Sequence, residues 1–277
     1  MRSGQGKIHD ILMLGDSNTY AGLNVDGSAS YDPSGLDITD SQLLEWRSAN
    51  HISNQSFSYT IVADSFHPFN LFATAPVSSA INGVGGGMAF MKQMKASGFL
   101  KAGECMRITA QGVGGVGLGN GTSPTGAAYA VPGCSQYGTF STDTANAVTR
   151  INSALAQSAS LGIVAILWTS GANDAINNVT RANYSSDLPL LIAYLRANIT
   201  GGSTAPFIMQ PLVPGYAPGG TNFPAISLAQ GDVAGSVSRC GLVDSSTMVG
   251  QTGTGYHLDG TSQRLWGTRA AALALSL

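Results

Sequence analysis

Ile11-Leu12-Met13-Leu14-Gly15-Asp16-Ser17-Asn18 runs from an apolar stretch straight into a glycine and three polar residues. A short apolar run bounded by turn residues is the signature of a strand buried on both faces. The first strand is therefore predicted over Ile8 to Leu14. Ser17 falls just beyond its carboxyl end, where open α/β sheets bind their ligands. A serine hydroxyl needs a base to become a nucleophile, and the chain has only four histidines: His9, His51, His67 and His257. Asp-Ser-Asn is also ordinary turn chemistry, so the remaining blocks have to decide between the two readings.

Two later stretches repeat the pattern of strand followed by polar turn. Ile163 to Trp168 reads as a buried strand leading into Thr169-Ser170-Gly171-Ala172-Asn173-Asp174. Tyr256-His257-Leu258-Asp259-Gly260 precedes a helical pattern near the C-terminus. Gly-Asp-Ser after the first strand, Gly171-x-Asn173-Asp174 and a late histidine, in that order, resemble the blocks of the SGNH, or GDSL, hydrolases. The resemblance implies an α/β/α sandwich of flavodoxin type, with a central, mainly parallel sheet of about five strands. It also implies Ser17 as nucleophile and His257 as base. The oxyanion donors would be the Ser17 and Gly114 backbone N–H groups and the Asn173 amide. Gly112 and Gly115 stay open as alternatives to Gly114, because the segment Gln111-Gly112-Val113-Gly114-Gly115 is rich in glycine.

Composition limits the other classes. Of 277 residues, 43% are hydrophobic, enough for a large core, while 10% are charged. Soluble domains average about 25% charged residues, so this surface must be polar through Ser, Thr, Asn and Gln. A net charge of −2 offers no basic footprint for nucleic acid. No apolar run approaches a membrane span. The expected location is extracellular, periplasmic or virion-associated. Met1 to Lys7 lacks the apolar stretch of a signal peptide, so a removed leader or another export route is expected. Oligomeric state is not legible. Cys105, Cys134 and Cys240 carry no CxxC spacing and read as buried thiols, with one disulfide through Cys134 left open. No Cys/His cluster points to a metal, and acyl transfer by serine needs no cofactor.

Alternation of strand and helix patterns argues for a parallel sheet with helices on both faces. Helices are predicted over 87–97, 143–160, 187–199 (with Pro189 in the first turn) and 262–275. Strands are predicted over 106–110, 162–168, 206–212 and 241–243. The chain reads as one domain, 1–277, with a long loop-rich insertion at about 21–86. Trp46, Phe66-His67-Pro68-Phe69 and Gly83-Val84-Gly85-Gly86-Gly87-Met88-Ala89-Phe90 resemble the insertion of sialate O-acetylesterase and acetylxylan esterase-like enzymes. Gln111 to Gly115 resembles their Val-Gly-Gly loop, and the strand ending in Ile166-Leu167-Trp168 resembles the one before their Gln-Gly-Glu segment. That likeness implies an acylated, most simply acetylated, carbohydrate as substrate. Tyr20, Trp46 and Phe69 are candidates to stack on a sugar, although burial is the commoner fate of such rings.

One departure concerns the acid that orients the histidine. The resemblance calls for Asp three residues before His257, where the chain has Thr254. The glutamate of the Gln-Gly-Glu variant falls at Ala172. The remaining candidates for acid or support are Asp174, Asp244, Asp259 and the Thr254 hydroxyl. Two alternatives to a carbohydrate esterase follow: a lipase- or thioesterase-like hydrolase of simple acyl esters, and a catalytically inert glycan-binding or virion surface protein.

Overall fold

Alternate residues of the first strand, β1 (Ile8–Gly15), feed two different hydrophobic cores, which sets the layers of the molecule. In the computed structural model, residues 7–16, 40–48, 64–68, 85–112, 116–119, 129–134, 142–251 and 255–277 are described. The further strands are β2 (Leu43–Ser48), β3 (Asp64–Pro68), β4 (Cys105–Gly112), β5 (Ser160–Thr169), β6 (Phe207–Met209) and β7 (Cys240–Leu242). The helices are α1 (Gly86–Ala96), α2 (Thr142–Leu155), α3 (Ala172–Ile176), α4 (Arg181–Asn198), α5 (Phe223–Ser236) and α6 (Gly260–Ser276).

The sheet order is β3-β2-β4-β1-β5-β6-β7. Six strands run parallel, and β3 pairs antiparallel with β2 at one edge. Side chains alternate across a strand. Ile11 and Met13 therefore pack with Met88, Phe90 and Met91 of α1 and with Trp266 and Ala270 of α6. Leu12 and Leu14 pack on the other side with Ile151 of α2, Leu188 and Leu191 of α4, and Ile226 of α5. The result is the α/β/α sandwich expected from the sequence, with six parallel strands rather than five.

β1 lies between β4 and β5, so the chain winds outward in both directions from it, and this is the switch point of the sheet. The register ends all three central strands at one level: Gly15 is opposite Gly112 on one side and Thr169 on the other. Gly15 has φ of 147°, and a Cβ there would lie 2.5 Å from Thr169 Oγ1, so only glycine lets β1 turn out beside β5. Beneath this level, the Tyr129 hydroxyl sits 3.0 Å from the Gly15 carbonyl and 2.8 Å from the Gln111 carbonyl. Lower down, a fully buried Arg107 donates to Asp10 at 2.6 Å and ties β4 to β1.

Three local expectations change. The segment 21–86 contributes two strands, β2 and β3, to the sheet. α4 begins at Arg181, capped by the Thr180 hydroxyl, and so carries Pro189 in its interior rather than its first turn. α5, with Pro224 at its start, was not anticipated. Cys105, Cys134 and Cys240 are free thiols. Cys134 is buried beside the Val131 amide and the Asp187 carbonyl, so the open disulfide is not formed.

Candidate active site

Asn173 and Asp174 follow β5 on the short helix α3 and hold the loop that leaves β4. Asp174 is fully buried, and its two carboxylate oxygens accept the Leu118 and Gly119 backbone N–H groups at 2.9 and 3.1 Å. A Cβ on Gly117 would lie 2.6 Å from Asp174 Oδ2, so the backbone can approach the carboxylate this closely only at glycine. Burial pushes the Asp174 carboxyl up to about 6, against the pull of those two amides. The half-buried Asn173 lies alongside, its Nδ2 at 3.4 Å from both Asp16 Oδ2 and the Val116 carbonyl. Its amide thus bridges the residue before Ser17 and the residue two beyond Gly114. Ser17, Gly114 and Thr254 themselves lie outside the described residues, as do Tyr20 and Phe69.

Behind this block a polar network fixes the end of β5. Trp168 Nε1 donates to the Tyr184 hydroxyl at 3.1 Å, and Gln230 Nε2 of α5 donates to the Ser170 and Gln210 carbonyls at 3.2 Å each. Gln210 in turn donates to Gln263 of α6 at 3.0 Å. The unanticipated helix α5 therefore supports the loop carrying Asn173.

His257 stands on the segment between β7 and α6, which leaves the same carboxyl edge of the sheet. Gly250 and Leu258 form an antiparallel bridge, Gln251 N–H donates to the His257 carbonyl at 2.7 Å, and Asp259 N–H donates to the Val249 carbonyl at 3.1 Å. This short ladder presents His257 with only 4% of its surface exposed. Burial lowers its pKa to about 4, so the imidazole is neutral through the whole neutral range. The Tyr256 ring lies 4.3 Å from the imidazole, and Tyr216 lies beyond it at 6.4 Å from Tyr256.

The carboxylates considered as acids are engaged elsewhere. Asp244 is exposed and accepts the Ser246 N–H and hydroxyl, with Arg269 at 3.4 Å. Asp259 caps α6 by accepting the Ser262 N–H at 2.7 Å. Asp174 serves the β4 loop as described, and among the described residues none of these three bonds to His257. His9 pairs with Glu104 at 3.0 Å at the other end of β1. Trp46 is buried, donates to Ser153 and carries the Arg107 guanidinium over its ring at 4.8 Å, which makes it a core residue rather than a sugar platform. Among the described residues no group of three His, Cys, Asp or Glu side chains could hold a metal ion, and no helix is long and apolar enough to cross a membrane.

A cavity of about 500 Å³ opens between the turn after β6 and the first half of α5, walled by Pro211, Pro214, Tyr216, Phe223 and Leu228. Tyr216 meets Phe223 edge-on at 4.9 Å, so the ring that walls this cavity is also the one that backs onto Tyr256 beside His257.

The three-layer sandwich gathers these polar blocks at the carboxyl edge of β1, β4 and β5, where open α/β sheets bind their ligands. The match to a family model is direct: residues 11–276 fit the carbohydrate esterase family described as sialic acid-specific acetylesterase. The chain belongs to that family, and so to the carboxylic ester hydrolases. A search of curated proteins finds no match. Solved structures share the fold. NanS superposes with a TM-score of 0.71 at 13% identity, covering 100% of this chain and 98% of its own. A protein from Arabidopsis thaliana gives 0.64 at 18% identity, covering 97% and 98%. A carbohydrate acetylesterase from Xanthomonas citri gives 0.62 at 17% identity, covering 96% of this chain and 55% of its own.

Proposed function

We propose that the chain removes acetyl groups from a carbohydrate by a serine acyl-enzyme mechanism in which Ser17 is the nucleophile and His257 the base. His257 takes the Ser17 hydroxyl proton as Oγ attacks the ester carbonyl, and passes it to the departing sugar oxygen. Negative charge on the carbonyl oxygen is met by the Ser17 and Gly114 N–H groups and by Asn173 Nδ2. Water, deprotonated by His257, then attacks the acetyl-serine, releasing acetate and restoring the hydroxyl. No metal or organic cofactor takes part.

The observation that carries this reading is the position of the Asn173 amide, 3.4 Å from both Asp16 and Val116. A side-chain donor set between Asp16, which precedes Ser17, and Val116, two residues beyond Gly114, supports Asn173 as an oxyanion donor. With its pKa lowered to about 4 by burial, His257 is in the unprotonated form that the role of base requires at neutral pH. The cavity walled by Tyr216, which is separated from His257 by the Tyr256 ring, offers room for part of the sugar. The weakly charged surface favours work outside the cytoplasm, on an acetylated glycan of a cell surface or virion environment. The test is release of acetate from O-acetylated sialic acid and from 4-nitrophenyl acetate by wild type, Ser17→Ala and His257→Ala. Acetate release that disappears in both variants is expected; release that survives Ser17→Ala overturns the assignment.

A further inference from the structure

Gln251 is the one residue paired across the short ladder with His257. The Gly250–Leu258 bridge is flanked by the bonds Gln251 N–H to His257 carbonyl and Asp259 N–H to Val249 carbonyl. That pattern makes Gly250 and Leu258 a narrow, non-hydrogen-bonded pair and puts Gln251 and His257 directly opposite one another in the adjacent position. Residues opposite each other in such a ladder project from the same face, with Cβ atoms about 4.5–5.5 Å apart. The Gln251 side chain is only 3% exposed, yet neither its amide oxygen nor its amide nitrogen has a hydrogen-bond partner among the described residues. A buried amide with both ends unused is rare in folded proteins and calls for an explanation. A second bond, Gly255 N–H to the Gln251 carbonyl at 2.9 Å, fixes the Gln251 backbone further.

We infer that Gln251 is a positioning residue for His257, its amide oxygen accepting the imidazole Nδ1–H during the reaction so that Nε2 faces the nucleophile. The inference rests on the esterase reading above for its functional meaning. It accounts for a family member without an acid three residues before the histidine: a neutral amide fixes the tautomer in place of a carboxylate. The charged groups nearby do not compete for this role. Asp259 is taken by the α6 cap, Asp244 by Ser246 and Arg269, and Asp174 by Leu118 and Gly119. Tyr256 and Tyr216 pack as rings beside the imidazole. A neutral partner does not raise the basicity of the imidazole, which agrees with a pKa lowered by burial alone.

The test uses the full chain with Gln251→Leu and Gln251→Glu. Gln251→Leu removes an unsatisfied amide, so its melting temperature is expected to hold or rise while kcat falls about 10- to 100-fold with KM within about twofold. Gln251→Glu supplies a carboxylate, and the His257 titration, followed by NMR of its ring nitrogens, is expected to move up by at least about one pH unit. Unchanged kcat in Gln251→Leu, or an unmoved His257 titration in folded Gln251→Glu, overturns the inference. If no acetyl ester is cleaved by any form but the titration still moves, the pairing stands and the esterase reading fails.

Discussion

The two walls of the candidate site are built on opposite principles. At the end of β5 most hydrogen-bonding groups are matched: Asp174 holds two amides, and Tyr184 and Gln230 Nε2 meet the Ser170 carbonyl, with the Gln230 Oε1 left over among the described residues. At the His257 turn the chain buries an imidazole and, opposite it, an amide with no hydrogen-bond partner among the described residues. In the proposed mechanism the first wall would hold the oxyanion donor still, and a fixed dipole costs no reorganisation when charge develops. The second carries the group proposed to gain and lose a proton, and there the inferred role of Gln251 is to accept from it when the proton arrives.

The largest effects should come from the residues that do the chemistry. Ser17→Ala and His257→Ala should each lower kcat/KM by about 10³-fold or more, measured on 4-nitrophenyl acetate. Asn173→Ala should cost about 10²- to 10³-fold in kcat, the usual price of one oxyanion donor. A smaller loss from Asn173→Ala than from removal of Gln251 would reverse the comparison between the walls.

Next come changes to the closely matched wall. Asp174→Ala leaves the Leu118 and Gly119 amides without their acceptor inside the protein, at about 1–3 kcal/mol for each. A melting temperature lowered by several degrees, together with reduced kcat, is expected. Unfolding that is unchanged in Asp174→Ala would show the wall is not held as described. Gly117→Ala forces a methyl against the same carboxylate, 2.6 Å from Oδ2, and should destabilise by about 1–3 kcal/mol; urea titration measures it.

The two buried titrating groups give opposite slopes of stability with pH. Unfolded His257 takes a proton near 6.5 and the folded one near 4. The unfolded state therefore binds more protons in that window, and stability falls as pH drops through it, by about 3 kcal/mol in all. Asp174 is raised from 3.8 to about 6, so its contribution is present below 3.8 and is lost as pH rises through 6. In His257→Phe the acid-side loss between pH 6.5 and 4 should shrink, and in Asp174→Asn it should steepen. The smallest effect expected is at the cavity: Tyr216→Ala should raise KM for a sugar ester about three- to tenfold with little change in kcat, as lost ring packing implies.

Much of this was legible before the fold. The apolar run before Gly15, the strand before Gly171 and the histidine before α6 carry period and punctuation that a chain cannot easily disguise. α5 was hidden because Phe223–Ser236 places Gly231 and Gly235 inside an apolar sequence with little polar face, and glycine reads as loop. β2 was hidden because Leu43–Ser48 mixes Glu45 and Arg47 with apolar residues, and its Glu45 is buried only by tertiary packing. The reach of α4 back to Arg181 turned on the Thr180 cap, while Pro189 pulled the predicted start, at 187, six residues too late. The support roles were the least legible. Asp174 meets Leu118 and Gly119 across more than fifty residues. Gln251 is brought opposite His257 only by backbone hydrogen bonds, which no side-chain pattern in the sequence announces.

The most direct test of the central claim is covalent: incubate the protein with an organophosphonate that traps activated serines, and locate the adduct by mass spectrometry. A single adduct on Ser17, absent from Ser17→Ala and formed far more slowly by His257→Ala, is the predicted result. An adduct at another residue, or labelling undiminished in Ser17→Ala, would contradict the account.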